Sequence, residues 1–157
     1  MIEAYKCFND GLINQYGEKF EVGVVYHINN EIRYHKNGFH MCDNLEDTLR
    51  YFDSFNNTIN IAKVEGFGNI DIYSDEYNEF FDMYATEYMK IIHVLARNEI
   101  LNYTKNISEM QLKRFLSLYK LNSLELKYFK DKYKNNDMLL KTIYYYQTKE
   151  KKLIKRI

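Results

Sequence analysis

The chain has no proline, no tryptophan, two cysteines and six glycines in 157 residues. Each shortage excludes something. Cys7 and Cys42 are too few to staple a small scaffold, and without a Cys-x-x-Cys pair the usual structural zinc spacings are missing as well. Gly66-Phe67-Gly68 lacks a third glycine and a following helix, and no glycine-rich segment precedes a Lys-Ser/Thr pair, so the familiar phosphate-cradling loops are absent. There is no Gly-x-Ser-x-Gly elbow and no His-Glu-x-x-His, which leaves serine hydrolase and metalloprotease readings without support. No apolar run approaches the roughly 20 residues of a membrane span. The start, Met1-Ile2-Glu3-Ala4-Tyr5, has no basic region followed by an apolar one. The expectation is a soluble, cytoplasmic protein with reduced thiols and no membrane partner.

What is present argues for one packed domain: 46% of residues are hydrophobic and 17% aromatic, far more than a solvated chain carries. The formal net charge of zero is a cancellation. Residues 1–103 hold 8 Lys+Arg against 17 Asp+Glu, net −9, while residues 104–157 hold 14 against 5, net +9. Such a split fits a basic part docked on an acidic part, a basic part that binds a polyanion, or two surfaces that meet different partners.

Residues 1–103 read as short strands punctuated by Asn and Gly. Ile2 to Phe8 is a first strand. Phe20 to Ile28 and Glu31 to His35 flank Asn29-Asn30, which predicts a two-residue hairpin, and Asn37-Gly38 makes a second turn before the extended Phe39-His40-Met41-Cys42. Asp43 and Glu46 have capping-box spacing, and Leu45, Leu49 and Phe52 form a stripe, so a short helix is predicted from Asp43. Thr58 to Val64 reads as a strand that Gly66-Phe67-Gly68 breaks, with another over Asn69 to Tyr73. An acidic loop follows. Met89 to Leu95 suits a strand buried on both faces, with His93 in the core, and a helix through Ala85–Asn98 is the alternative.

From Ser108 the period becomes helical. Leu112, Phe115, Leu116 and Tyr119 mark a first helix to about Leu121. Ser123 caps a second carrying Leu126, Phe129 and Tyr133, and Asn136 or Asp137 caps a third carrying Leu140, Ile143 and Tyr144. The predicted fold is α+β: a mostly antiparallel sheet with one short helix over 1–103, then about three helices over 104–157 packed on it as one folding unit.

Few residues suggest chemistry. His40 and Cys42, two apart on a strand, share a face opposite Phe39 and Met41. Zinc there would need Cys7 or His35 from a neighbouring strand, and no metal is expected. The acidic run from Asp71 to Glu87 carries Asp75, Glu76, Tyr77, Glu79, Asp82 and Tyr84, a composition suited to a basic, nucleic-acid-binding groove, with carboxylates standing in for phosphates and aromatics for bases. Lys113, Arg114, Lys127, Lys130 and Lys134, with Tyr128 and Tyr133 among them, are candidates to track a nucleic-acid backbone.

Ala4-Tyr5-Lys6-Cys7-Phe8, Phe20-Glu21-Val22-Gly23 with Tyr26, Gly38-Phe39-His40-Met41-Cys42-Asp43-Asn44-Leu45-Glu46-Asp47 and Ile61-Ala62-Lys63-Val64-Glu65 resemble a small domain common in phages and prophages. Its members read Tyr-Lys-Gly-Phe, then Phe-x-Tyr-x-x-Gly-x-x-Tyr, then Gly-Phe-His-x-Cys-x-x-Pro-x-Asp. Here Cys7 replaces the family's Gly, and Leu45 or Glu46 its Pro. That domain is in turn similar to the front half of ADP-ribosyltransferase folds, a resemblance that implies NAD held by Tyr5 or Lys6 and by Phe39-His40, with Glu87 as the catalytic carboxylate.

The leading expectation is therefore a phage-type binding protein without a cofactor. It would inhibit a host protein or ribonucleoprotein complex, of the anti-CRISPR or anti-defence kind. The alternatives are an NAD-dependent ADP-ribosyltransferase-like enzyme using Tyr5, His40 and Glu87, and nucleic-acid binding through the basic helices.

Overall fold

The structure is a computed structural model, and it describes residues 1–34, 36–74 and 82–148. The chain divides into two compact units, Met1–Leu101 and Asn102–Ile157. Antiparallel sheet followed by helices makes the fold α+β.

The first unit is built from β1 (Ile2–Asn9), β2 (Val25–His27), β3 (Phe39–Cys42), a 3-10 segment (Leu45–Tyr51), β4 (Ile59–Ser74) and β5 (Asp82–Val94). β4 pairs with β1 along eight residues, from Ile2/Gly66 to Asn9/Ile59, and with β5 on its other edge. β5 pairs in turn with β2 and β3, and β3 returns to β1. The circuit β1–β4–β5–β3–β1 closes the sheet on itself, through a single register pair where β3 meets β1. Its core holds Ala4, Phe8, Phe20, Met41, Ala62, Val64, Tyr84, Met89 and Ile91.

So small a ring needs small residues at its tightest points. A β-carbon on Gly66 would lie 2.5 Å from Thr86 Cγ2 and 2.8 Å from Met41 Sδ. Gly68, at φ +79°, sits where the β4–β5 register slips between Phe67 and Ile70. The two glycines that read as a strand break are thus an interior fit and a bulge inside one 16-residue strand.

Two further expectations are corrected. Residues 31–34 form no strand, and β2 finds its partner in β5, with Ile28 N–H donating to the Glu87 carbonyl. The Asn29-Asn30 hairpin does not form, because the edge of a distant strand supplies the ladder bonds. β5 is buried on one side only near its end: Met89 and Ile91 are buried, whereas Ile92 is exposed. His93 is also exposed, and its Nε2 meets the Glu99 carboxylate at 2.8 Å.

The 3-10 segment starts from Asn44 with no side-chain cap bond, so the Asp43 capping box is not used. Leu45 and Leu49 are fully buried, and so are Glu46 and Asp47.

α1 (Arg97–Thr104) leads into the second unit and was not foreseen as a helix. α2 (Glu109–Leu118), α3 (Ser123–Lys132) and α4 (Asp137–Gln147) follow. α2 begins at a reciprocal Ser108/Gln111 capping box, and α3 at an Asn122/Glu125 box, one residue before the predicted cap. Leu112, Phe115, Leu116, Phe129 and Ile143 are buried together with Leu139, which takes the place expected of half-buried Leu140. Gln147 Nε2 donates at 2.7 Å to the carbonyls of both Leu116 and Tyr119, satisfying the orphan acceptors at the end of α2. Among the described residues, no helix is long and apolar enough to cross a membrane.

Candidate functional site

The segments around Tyr5 and His40 meet at the seam between β1 and β3. Tyr5 opposite Cys42 is the one register pair of these strands among the described residues, because β3 gives its other edge to β5 from Phe39/Thr86 to Cys42/Met83. Beside that pair a side chain takes over from the backbone: Lys6 Nζ donates to the His40 carbonyl oxygen at 2.6 Å. A cavity of about 490 Å³ opens here, and Tyr5, Lys6, Cys7, Tyr34, His40 and Cys42 all contribute to its lining.

Burial dominates the site's electrostatics. It pushes the Lys6 ammonium down to about 8, with Cys42 and Cys7 pulling weakly the other way. It pushes both thiols up to about 12, and the Tyr34 hydroxyl, which donates to Met83 Sδ at 3.0 Å, equally to about 12. Tyr5 is raised by burial and then by Glu46. At neutral pH the thiols are therefore neutral and poor nucleophiles. Lys6 is a half-buried cation over the Phe8 ring, 5.8 Å from its centroid. Among the described residues no carboxylate lies within ion-pair distance of it.

Tyr5 and His40 thus share a cavity, but Glu87 does not line it. Its carboxylate accepts the Asn69 backbone N–H at 3.1 Å and meets His27 Nε2 at 2.9 Å, contacts that hold it below the usual carboxylate range, the backbone bond most. His27 stacks on Tyr88, and Tyr88 on Phe67, beside that pair. Of the three residues assigned to NAD-dependent transfer, Tyr5 and His40 line the cavity and Glu87 is bonded to Asn69 and His27. Among the described residues no group of three His, Cys, Asp or Glu side chains is placed to hold a metal, and His35 lies outside them.

Asp75, Glu76, Tyr77 and Glu79 also lie outside the described residues, and only the backbone of Asp82, at the start of β5, is described. Tyr84 is largely buried opposite Met41. Lys113, Lys127 and Lys134 are exposed, while Arg114 and Lys130 are half-buried, Lys130 Nζ lying 5.0 Å from the Tyr144 ring centroid. Sequence reasoning missed Tyr34 and Asp47 in the cavity wall. Asp47 carries no local signal of burial, whereas Tyr34 packs against His40 at 5.0 Å between ring centroids.

These observations define a small antiparallel module, closed on itself around one core and opened at one seam by a lined cavity, followed by a helical unit. The chain belongs to the family described as Domain of unknown function (DUF7666), whose model matches residues 2–102. No curated protein and no solved structure matches it.

Proposed function

We propose that the chain is a binding protein that inhibits a host macromolecule by occupying it, with a nucleic-acid-handling defence complex of the CRISPR-effector kind as the target. One observation carries this reading: the division between the compact units, Met1–Leu101 and Asn102–Ile157, falls where the charge changes sign. Residues 102 and 103 are uncharged, so the first unit has net charge −9 and the second +9. A nucleoprotein complex offers a complement to each, a basic groove in its protein and a polyanion in its nucleic acid. The resemblance to phage and prophage domains supplies the host context.

The test is capture of the complex from host-cell lysate by the intact chain, against two charge-reversed variants. One reverses Asp75, Glu76, Glu79 and Asp82, the other Lys113, Arg114, Lys127 and Lys134. Each should weaken capture without unfolding the protein. Full capture by both contradicts the reading. NAD-dependent transfer has in its favour the cavity shared by Tyr5 and His40, and against it the place of Glu87. A mass increase of the captured partner that requires NAD would establish transfer instead.

A further inference from the structure

The cavity at the β1/β3 seam has no part in that proposal, and its chemistry points to a ligand of its own. A lysine ammonium carries three N–H donors. Among the described residues Lys6 has one acceptor, the His40 carbonyl at 2.6 Å. The remaining donors and the unneutralised charge sit at the wall of a cavity of about 490 Å³, a size typical of small-molecule sites. Lys6 is half-buried with one neutral carbonyl as its protein acceptor, and an anion that brings two acceptor oxygens would supply both a counter-charge and charge-assisted bonds. A carboxylate does so.

Other groups in the wall narrow the class. Lys36, Asp47 and Glu18 line the same cavity, so the wall apart from Lys6 carries one net negative charge, which argues against a doubly charged phosphate monoester. Phe20, Phe39 and Tyr34 also line it and offer ring surface to an apolar body. The first unit's net charge of −9 slows anion encounter at long range. Over distances beyond about 8 Å that field is screened at physiological salt, so the cation at contact decides affinity.

We propose that this cavity binds a small aromatic or apolar monocarboxylate, with Lys6 as the counter-charge to the carboxylate and the rings of Phe20, Phe39 and Tyr34 against its body. The inference stands apart from the binding of a macromolecule and would survive its failure.

Benzoate is the probe, and benzyl alcohol its uncharged counterpart, each titrated into the full chain and followed by calorimetry and by backbone amide shifts. Benzoate should bind with shifts centred on Cys7, His40 and Cys42, and benzyl alcohol should bind weaker by about tenfold or more. Lys6→Met, which keeps the length of the side chain and removes its charge, should weaken benzoate by a similar factor and leave benzyl alcohol unchanged. Equal affinity for the two probes in the unaltered chain overturns the assignment even if Lys6→Met fails to fold. So does full benzoate affinity in folded Lys6→Met, the absence of benzoate binding, or shifts that lie away from the seam.

Discussion

The Lys6 ammonium donates to the His40 carbonyl at 2.6 Å, so a charged side chain ties β1 to β3 beside their one register pair, Tyr5 and Cys42. The tie is held at a cost. Keeping a lysine whose proton leaves at about 8 in place of 10.5 costs at most about 3 kcal/mol at neutral pH, and less in so far as half-buried Lys6 keeps contact with water. The hydrogen bond lost in Lys6→Met is worth about 1 kcal/mol, so the penalty wins. Lys6→Met should therefore be more stable than the unaltered chain by about 1–3 kcal/mol in urea unfolding at pH 7. A loss of stability would show that the tie, not the desolvation, dominates.

The pH dependence of stability follows from the same groups. Folded Lys6 gives up its proton near 8 and unfolded Lys6 near 10.5, so the unfolded state holds more protons in that window and stability rises with pH. The thiols act oppositely. Cys7 and Cys42 ionise near 9 when unfolded and near 12 when folded, so above 9 the folded state holds more protons and stability falls. Two thiols outweigh one amine, which places a maximum near pH 9. Lys6→Met should lose the rise between 8 and 9 and keep the fall, as read from unfolding midpoints across pH.

Thiol reactivity reports the cavity wall directly. At pH 8 a thiol that ionises near 12 has about a thousandth of the thiolate of one that ionises near 9. Both cysteines should react with an aromatic disulfide reagent about a thousandfold slower in the folded protein than in denaturant. Rapid labelling of Cys42 in the folded state would contradict its placement.

Gly66 tests the closed ring. A β-carbon there meets Thr86 Cγ2 at 2.5 Å and Met41 Sδ at 2.8 Å, and the Thr86 side of that contact cannot yield without moving β5. Gly66→Ala should cost about 1–3 kcal/mol in chemical denaturation. A neutral substitution would mean that β4 and β5 do not enclose that point.

The strands β1 and β3 and the helices α2 to α4 were legible because each carries its own local signal: a β-branched run, a period-3.6 stripe, a cap. The single strand β4 was not, since Gly66 and Gly68 serve a tertiary fit and a bulge that look like punctuation along the chain. His93 was misread for a related reason: an apolar run surrounds it in sequence, yet the register slip that pairs Val64 with Ile91 but Lys63 with His93 takes it out of step with buried Met89 and Ile91 and leaves it exposed beside Glu99. For the site, the pairing of the Tyr5 and His40 segments was legible through the resemblance they carry. The bonds of Glu87 to Asn69 and His27 were not legible, because residue type says nothing of partners brought by the fold.

The most direct test of the central claim is capture from host-cell lysate by the intact chain, with and without NAD, followed by intact-mass measurement of what is retained and a salt titration of its release. The account predicts a stoichiometric nucleoprotein partner of unchanged mass in both conditions, released progressively as salt rises. A partner whose mass increases only when NAD is present, or capture that salt does not weaken, would contradict it.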